Sequence, residues 1–297
     1  MNVILTGGTG FIGNHLLKAL IDNNHNVLLL AEEDTEIKNC GFQLAYVNLL
    51  DLENQKQKII DFNPEAVIHL AWAGIPDYSE DVSKKNLDMS INFLDFIIEE
   101  TKCEKILVAG SCFEYGTIEG VCSETDYVNY NSFISWAKIS LYEYLKLKTL
   151  KHNFNLLWFR IFYVYGPSQR EASLLPFLIS SLAKDEVPNI RTPHNKNDFI
   201  YIDDVVNGFI SGLNYEAPSG IYNLSSGATT SVLQICKYVE SLFSCEETVL
   251  SVLENIPQDK IVNFWGNNSK AREYLHWTPQ VSMKEGLKRT ITDYLEK

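Results

Sequence analysis

Paired cysteines, clustered basic residues and long apolar runs are all missing from this 297-residue chain, and each absence removes a class of protein. The six cysteines (Cys40, Cys103, Cys112, Cys122, Cys236, Cys245) are scattered without a C-x-x-C pair, so neither a zinc site nor a disulfide framework is expected, and no metal is assigned. They read as the reduced thiols of a cytoplasmic protein. Lysine and arginine total 25 against 38 aspartates and glutamates, a net charge of −13, and only five of the cations are arginine. Nucleic-acid binding needs clustered positive charge and is not expected. No apolar run reaches bilayer length, and a strand starting at residue 2 leaves no room for a secretory leader, so neither membrane insertion nor secretion is expected.

What the chain has is 45% hydrophobic residues and a mean hydropathy of −0.10, the balance of a soluble globular protein long enough to bury a substantial core. Its first thirteen residues organise the rest. Val3-Ile4-Leu5 is a short apolar strand that runs into Thr6-Gly7-Gly8-Thr9-Gly10-Phe11-Ile12-Gly13. Gly7 allows a tight bend, Gly10 lets backbone approach a pyrophosphate, and Gly13 lets the next helix pack close to the strand. That helix is amphipathic, with Ile12, Leu16, Leu17 and Leu20 inward and Asn14 and Lys18 outward. A strand before and a helix after turn three spaced glycines into a dinucleotide site, with Gly7, Thr9, Gly10, Phe11, Ile12 and Gly13 around the phosphates.

Further along, strands at 26–30, 43–48, 66–71, 105–109 and 155–162 alternate with helices at 52–62, 81–101 and 133–151. The alternation predicts an α/β fold, a doubly wound parallel (Rossmann-type) sheet, in a dinucleotide-binding domain of residues 1–165. Beyond Gly166-Pro167 the pattern loosens into a helix (174–183), a Pro/Asn-rich passage (187–197), a strand and helix (199–213), the strand Tyr222-Asn223-Leu224 and a helical tail. This predicts a smaller mixed α/β substrate lobe, 166–297, made discontinuous by 199–213 returning to the first domain. The two long helices carry apolar stripes (Ile91, Phe93, Leu94, Ile97, Ile98; Ile139, Tyr142, Leu145, Leu150) that read mostly as core, with the remainder available as the face of a homodimer.

Taken in order, T-G-G-T-G-F-I-G at 6–13, H-L-A-W at 69–72, Asn86, G-S-C-F-E-Y-G at 110–116, Lys138, R-I-F-Y-V-Y-G-P at 160–167, D-F-I-Y-I-D-D-V at 198–205, Y-N-L-S-S-G at 222–227, S-K-A and W-T-P make the chain resemble the extended short-chain dehydrogenase/reductase family, the sugar-nucleotide epimerases, dehydratases and reductases. The resemblance implies that Ser111 hydrogen-bonds the reacting sugar oxygen. Dehydratases of the family follow this residue with an Asp-Glu pair, and Cys112 and Phe113 stand there instead. Phenylalanine exchanges no proton, which argues against dehydration. Glu114 is a nearby carboxylate expected, on strand alternation, to face away from Ser111.

The larger departure concerns the family's Y-x-x-x-K, in which lysine lowers the phenol pKa and binds the nicotinamide ribose while the phenol moves a proton. Lys138 holds the lysine position, but Ile134 stands four residues earlier. Tyr142/Lys146 and Tyr144/Lys148 share the spacing but lie too far along the helix, and read as amphipathic-helix residues. Three readings follow: a proton relayed by another group, for which Tyr163 is the candidate and also a substrate contact; slow or altered chemistry at Ser111; or binding without turnover. Tyr163 reads equally as a packing aromatic.

For the cofactor, the resemblance implies an acidic residue ending the second strand in NAD users and a nearby arginine in NADP users. Ala31 takes that position, followed by Glu32, Glu33 and Asp34 with no cation before Lys38, so NAD is expected and NADP is left open. Asn48 and Leu49 would bracket the adenine, and Leu70, Ala71 and Ala109 would line the cleft. Asn197 replaces the family's diphosphate-clamping arginine, leaving Arg170, Arg191 and Lys196 as candidate substrate cations. The expected ligand is a nucleoside-diphosphate sugar. The wording around 110–116 and 160–167 looks most like reductases of 4-keto-6-deoxy sugars, with an epimerase as the alternative.

Overall fold

The computed structural model describes residues 1–32, 41–116, 119–128, 130–184, 186–243 and 248–296. Glu33, Asp34, Lys38, Cys40 and Cys245 lie outside them. The first half runs β1 (Asn2–Thr6), α1 (Phe11–Asp22), β2 (Asn26–Ala31), β3 (Gln43–Tyr46), α2 (Lys56–Phe62), β4 (Ala66–His69), α3 (Glu80–Glu100), β5 (Lys105–Ser111), a 3-10 turn (Cys112–Tyr115), β6 (Gly120–Cys122), α4 (Phe133–Lys148) and β7 (Asn155–Ile161). There follow β8 (Tyr163–Tyr165), α5 (Leu174–Leu182), β9 (Lys196–Asn197), β10 (Phe199–Tyr201), α6 (Ile202–Asn214), β11 (Gly220–Leu224), β12 (Thr230–Ser231), α7 (Val232–Phe243), α8 (Thr248–Glu254), β13 (Phe264–Gly266), α9 (Ser269–Leu275) and α10 (Met283–Leu295).

Seven parallel strands form one sheet in the order β11-β7-β5-β4-β1-β2-β3. Both of its faces are covered, so each strand is apolar on both sides. Val3, Leu5, Leu29, Ile68, Leu107 and Phe159 face one core with α1 and α6, while Ile4, Leu28, Val67, Ile106, Val108 and Trp158 face the other with α3 and α4. This is the Rossmann-type architecture. The order reverses between β1 and β4, the place where a doubly wound sheet opens a crevice at its carboxyl edge.

Several boundaries differ from the sequence pattern. β3 stops at Tyr46 and α2 starts at Lys56, because the Gln55 and Lys56 amides donate to the Leu52 carbonyl in a preceding turn. β5 runs on to Ser111, which brings that side chain to the sheet edge. The segment 220–224 is the outer strand of the main sheet beside β7, so it joins this layer along with α6, which packs on α1. The remaining small sheets pair β8 with β10, β9 with β12 and β6 with β13 beyond the carboxyl edge. In the long helices, Phe93, Leu94, Ile97 and Leu145 are buried, while Leu150 is exposed just past the end of α4. No helix among the described residues is long and apolar enough to cross a membrane.

Candidate active site

Four strand ends define the site: Thr6 on β1, His69 on β4, Ser111 on β5 and Ile161 on β7. After Thr6 the chain turns through Gly7 at φ +70°, where a Cβ would lie 2.7 Å from the Ala71 amide nitrogen. A Cβ on Gly13 would lie 2.0 Å from the Gly7 carbonyl oxygen, so α1 can start this close to β1 only without one. Gly10 caps α1 without a side-chain bond, and its first turn holds no acidic residue. The helix therefore presents unsatisfied amides and the positive end of its dipole beside a cradle that side chains would have filled. A dinucleotide diphosphate fits there, between exposed Thr9 and half-buried Phe11 and Ile12.

Behind the cradle runs a buried chain of hydrogen bonds. The Ala71 amide donates to Thr6 Oγ1 (3.3 Å), which bonds His69 Nδ1 (2.8 Å); His69 Nε2 bonds Ser90 Oγ (2.9 Å), and Ser90 donates to the Asn86 carbonyl (2.8 Å). Because Ser90 spends its proton on Asn86, His69 must donate from Nε2 and accept at Nδ1, which fixes one neutral tautomer. Burial, with the nearby Lys138 charge, pushes His69 down to about 3. Asn86 continues the chain, accepting from the Ala73 amide (2.7 Å) and donating to the Ala73 and Val82 carbonyls, so it holds the β4–α3 loop.

The Ser111 hydroxyl accepts from the Phe113 amide at 3.2 Å. Its own amide donates to Glu114 Oε1 at 2.7 Å, so the expectation that Glu114 faces away from Ser111 needs correction: strand alternation ends at Ser111, and the 3-10 turn brings the carboxylate back to it. Glu114 is fully buried and holds Arg160 Nε at 2.8 Å and the Trp158 indole at 3.1 Å, with the Arg160 guanidinium over the Tyr115 ring. It is a structural anion tied to its own cation.

Lys138 is buried on α4, its ammonium donating to the Ala109 carbonyl at 2.7 Å and lying 4.1 Å from the centre of the Trp72 ring. Burial lowers it to about 8, with the Glu114 charge opposing the shift. Ile134 is buried one turn earlier on the same helix. Tyr142 packs on Trp158 and Tyr144 bonds Asp95, so both belong to the packing of α4.

Tyr163 lies two residues beyond Ile161, which pairs with Ser111, and its ring sits among Phe113 (6.0 Å), Phe199 (5.7 Å) and Phe264 (6.0 Å). Burial drives its phenol pKa up. Phe113 also meets Tyr78, at 6.5 Å, from the β4–α3 loop. Sequence reasoning passed over both Tyr78 and the Thr6–His69–Ser90 relay, although H-L-A-W and Asn86 mark the strand and helix that carry them.

Elsewhere, Leu70 and Ala71 line the edge of β4 and Ala109 is buried in β5. Asn48 accepts from the Leu50 amide, Leu49 is buried with its carbonyl held by Asn92, and Glu32 is exposed after β2. Arg170 donates to the Ile75 carbonyl (2.7 Å), whereas Arg191 and Lys196 are exposed around β9, next to buried Asn197. Asp198 gathers the amides of Ser226, Gly227 and Gly266, and so ties the loops of the second layer together.

The fold and the glycine cradle define a dinucleotide-binding α/β protein with a lysine-equipped site at the carboxyl edge of its sheet. The chain belongs to the NAD dependent epimerase/dehydratase family, whose model matches residues 3–225. It is 28% identical over 308 residues to a putative UDP-glucose 4-epimerase of Methanocaldococcus jannaschii, covering 97% of each chain. It is 25% identical to a dTDP-4-dehydro-6-deoxyglucose reductase of Escherichia coli, covering 97% of this chain and 96% of that one. The structure matches that of UDP-glucose 4-epimerase from Thermotoga maritima, solved with UDP-glucose, at a TM-score of 0.88 and 24% identity over 100% of this chain and 99% of that one. As the sequence led us to expect, the cofactor of the family is NAD.

Proposed function

We propose that the protein is an NAD-dependent oxidoreductase that reduces the keto group of a nucleoside-diphosphate 4-keto-6-deoxy sugar. The observation that carries this reading is the meeting of two elements at one strand end: Lys138 of α4 bonds the Ala109 carbonyl, two residues before Ser111 on β5. In this reading Lys138 holds the nicotinamide ribose and the Ser111 hydroxyl polarises the ketone. NAD, when bound, supplies the hydride chemistry. Ala71 and Ala109 leave room for its rings, and the start of α1 takes its diphosphate. Cys112 and Phe113 leave no acid/base pair beside Ser111 for an elimination, and Glu114 is neutralised by Arg160.

The relative named as a reductase supports this reading. In it, residues 166–297, apart from α6 and β11, form the sugar lobe, with Arg170, Arg191 and Lys196 as its cations. A cytoplasmic homodimer belongs to the same reading, supported by the half-buried Ile91, Ile98 and Ile139 on α3 and α4. Stoichiometric loss of NADH on mixing the purified chain with such a keto-sugar tests it.

Two other readings have an observation each. Epimerisation is favoured by the M. jannaschii relative and predicts tightly co-purifying NAD with no net consumption. Binding without turnover is favoured by Ile134 and predicts NAD affinity with no isotope transfer from labelled NADH.

A further inference from the structure

We propose that Tyr78, on the loop between β4 and α3, delivers the proton that a tyrosine at position 134 would deliver in the family's usual arrangement; the inference rests on the ketoreductase reading above. Ile134 leaves the start of α4 without a proton donor, and the groups that could replace it must reach the space beside Ser111. Two tyrosines pack on Phe113, two residues beyond Ser111, and a third precedes Ile134 by four residues.

Tyr163 is wedged among Phe113, Phe199 and Phe264, and burial holds it protonated. Packed on three rings, its phenol gives up a proton less readily than an exposed one. Tyr130 precedes Ile134 by four residues, but it lines a cavity of about 460 Å³ with Glu80, Lys84, Ser132, Phe133 and Trp136. At 100° per residue, Phe133 and Trp136 occupy a different face of α4 from Ile134 and Lys138, so Tyr130 serves another surface.

Tyr78 differs from both. Its ring meets Phe113 edge-on at 6.5 Å, and Phe113 is held two residues from Ser111 by the bond from its amide to the serine hydroxyl. Phe113 also meets the Tyr163 ring at 6.0 Å, so the two tyrosines share one phenylalanine just past the end of β5. At 40% exposure Tyr78 keeps contact with water. Its loop is held from outside by Asn86, which clamps Ala73, and by Arg170, which bonds the Ile75 carbonyl, and is tightened within by Asp77, which accepts from the Ser79 amide at 2.8 Å. A fixed loop can hold a phenol at a set place over a substrate.

The step balances without a further reagent. A C–H bond forms at the carbonyl carbon with hydride from the reduced nicotinamide, which is oxidised. The π pair of the C=O bond takes the Tyr78 Oη proton to give the hydroxyl, and the phenolate left behind regains a proton from water. Arg170 gains a second meaning here, as the residue that positions the loop.

The test uses the full chain with NADH and dTDP-4-keto-6-deoxyglucose. Tyr78→Phe should lower kcat by about 10²–10⁴-fold, with KM and the NAD Kd within about threefold of wild type. A Tyr78→Phe variant that keeps its kcat overturns the inference. A readout independent of turnover is the carbon-13 signal of Tyr78 in protein labelled at tyrosine Cζ, assigned by its loss in Tyr78→Phe. It should shift when dTDP-glucose is added to the NAD-loaded chain. An unmoved signal overturns the inference whether or not any keto-sugar is reduced, whereas a shift in a chain that reduces none supports the placement of Tyr78 and counts against the ketoreductase reading alone.

Discussion

Ile134 stands one helical turn before Lys138 on the buried face of α4, and each is 7% exposed. The lysine of the site is thus present, enclosed and without its usual phenol. Its ammonium instead faces the Ala109 carbonyl and the Trp72 ring.

Burial lowers Lys138 to about 8, so the ammonium persists below that pH and is lost above it. A charged donor bonds a ribose hydroxyl more strongly than a neutral amine does. NAD affinity measured by calorimetry should therefore fall about tenfold as pH rises through 8, and Lys138→Met should bind weakly with no such step. A flat wild-type profile would count against a ribose contact.

His69 gives a pH dependence of stability. Its native pKa of about 3 lies below the ordinary imidazole value of 6.5, so the unfolded chain binds a proton that the native chain refuses between those limits. Stability is fully present above 6.5 and should decline as pH falls towards 3, by about 1.4 kcal/mol per pH unit from this group. Urea unfolding at several pH values should show a shallower decline in His69→Gln; equal slopes would remove His69 from the account.

Gly13→Ala tests the cradle, since the new Cβ would meet the Gly7 carbonyl oxygen at 2.0 Å and Gly8 Cα at 2.6 Å. The start of α1 must retreat, which should cost about 1–3 kcal/mol in stability and most of the NAD affinity. Thermal melts with and without NAD measure both. A variant that still gains its full ligand-induced stabilisation would show that the phosphates sit elsewhere.

Arg160→Met strands the Glu114 carboxylate in the core, because the guanidinium 2.8 Å away is its counter-ion. Breaking a buried pair from one side costs about 3–5 kcal/mol. The double variant with Glu114→Gln should recover a good part of that loss in chemical denaturation. No recovery would mean that Arg160 acts through its packing on Tyr115 rather than through the pair.

The parts of this molecule that were legible in the sequence are those with local causes. Gly7, Gly10 and Gly13 mark a turn and a helix start through backbone freedom alone, and the apolar runs of β1, β2 and β4 announce strands covered on both faces. Boundaries were less legible. β5 carries on to Ser111 because Ile161 of β7 pairs with it, a contact 50 residues away in the chain. β11 likewise joins the sheet through its register with β7 and not through its own composition.

The sequence by itself determined the dinucleotide cradle, the presence of Lys138 and the absence of a tyrosine four residues before it, because these are matters of residue identity and short spacing. Only the tertiary structure decided what surrounds them. It buried Glu114 against Arg160, packed Tyr163 among three aromatic rings, and brought Tyr78 from another loop against Phe113, two residues beyond Ser111. The physical reason is one of range. Backbone conformation is written in neighbouring residues, whereas a charge is neutralised, or an aromatic ring packed on another, by partners that meet only when the sheet has closed.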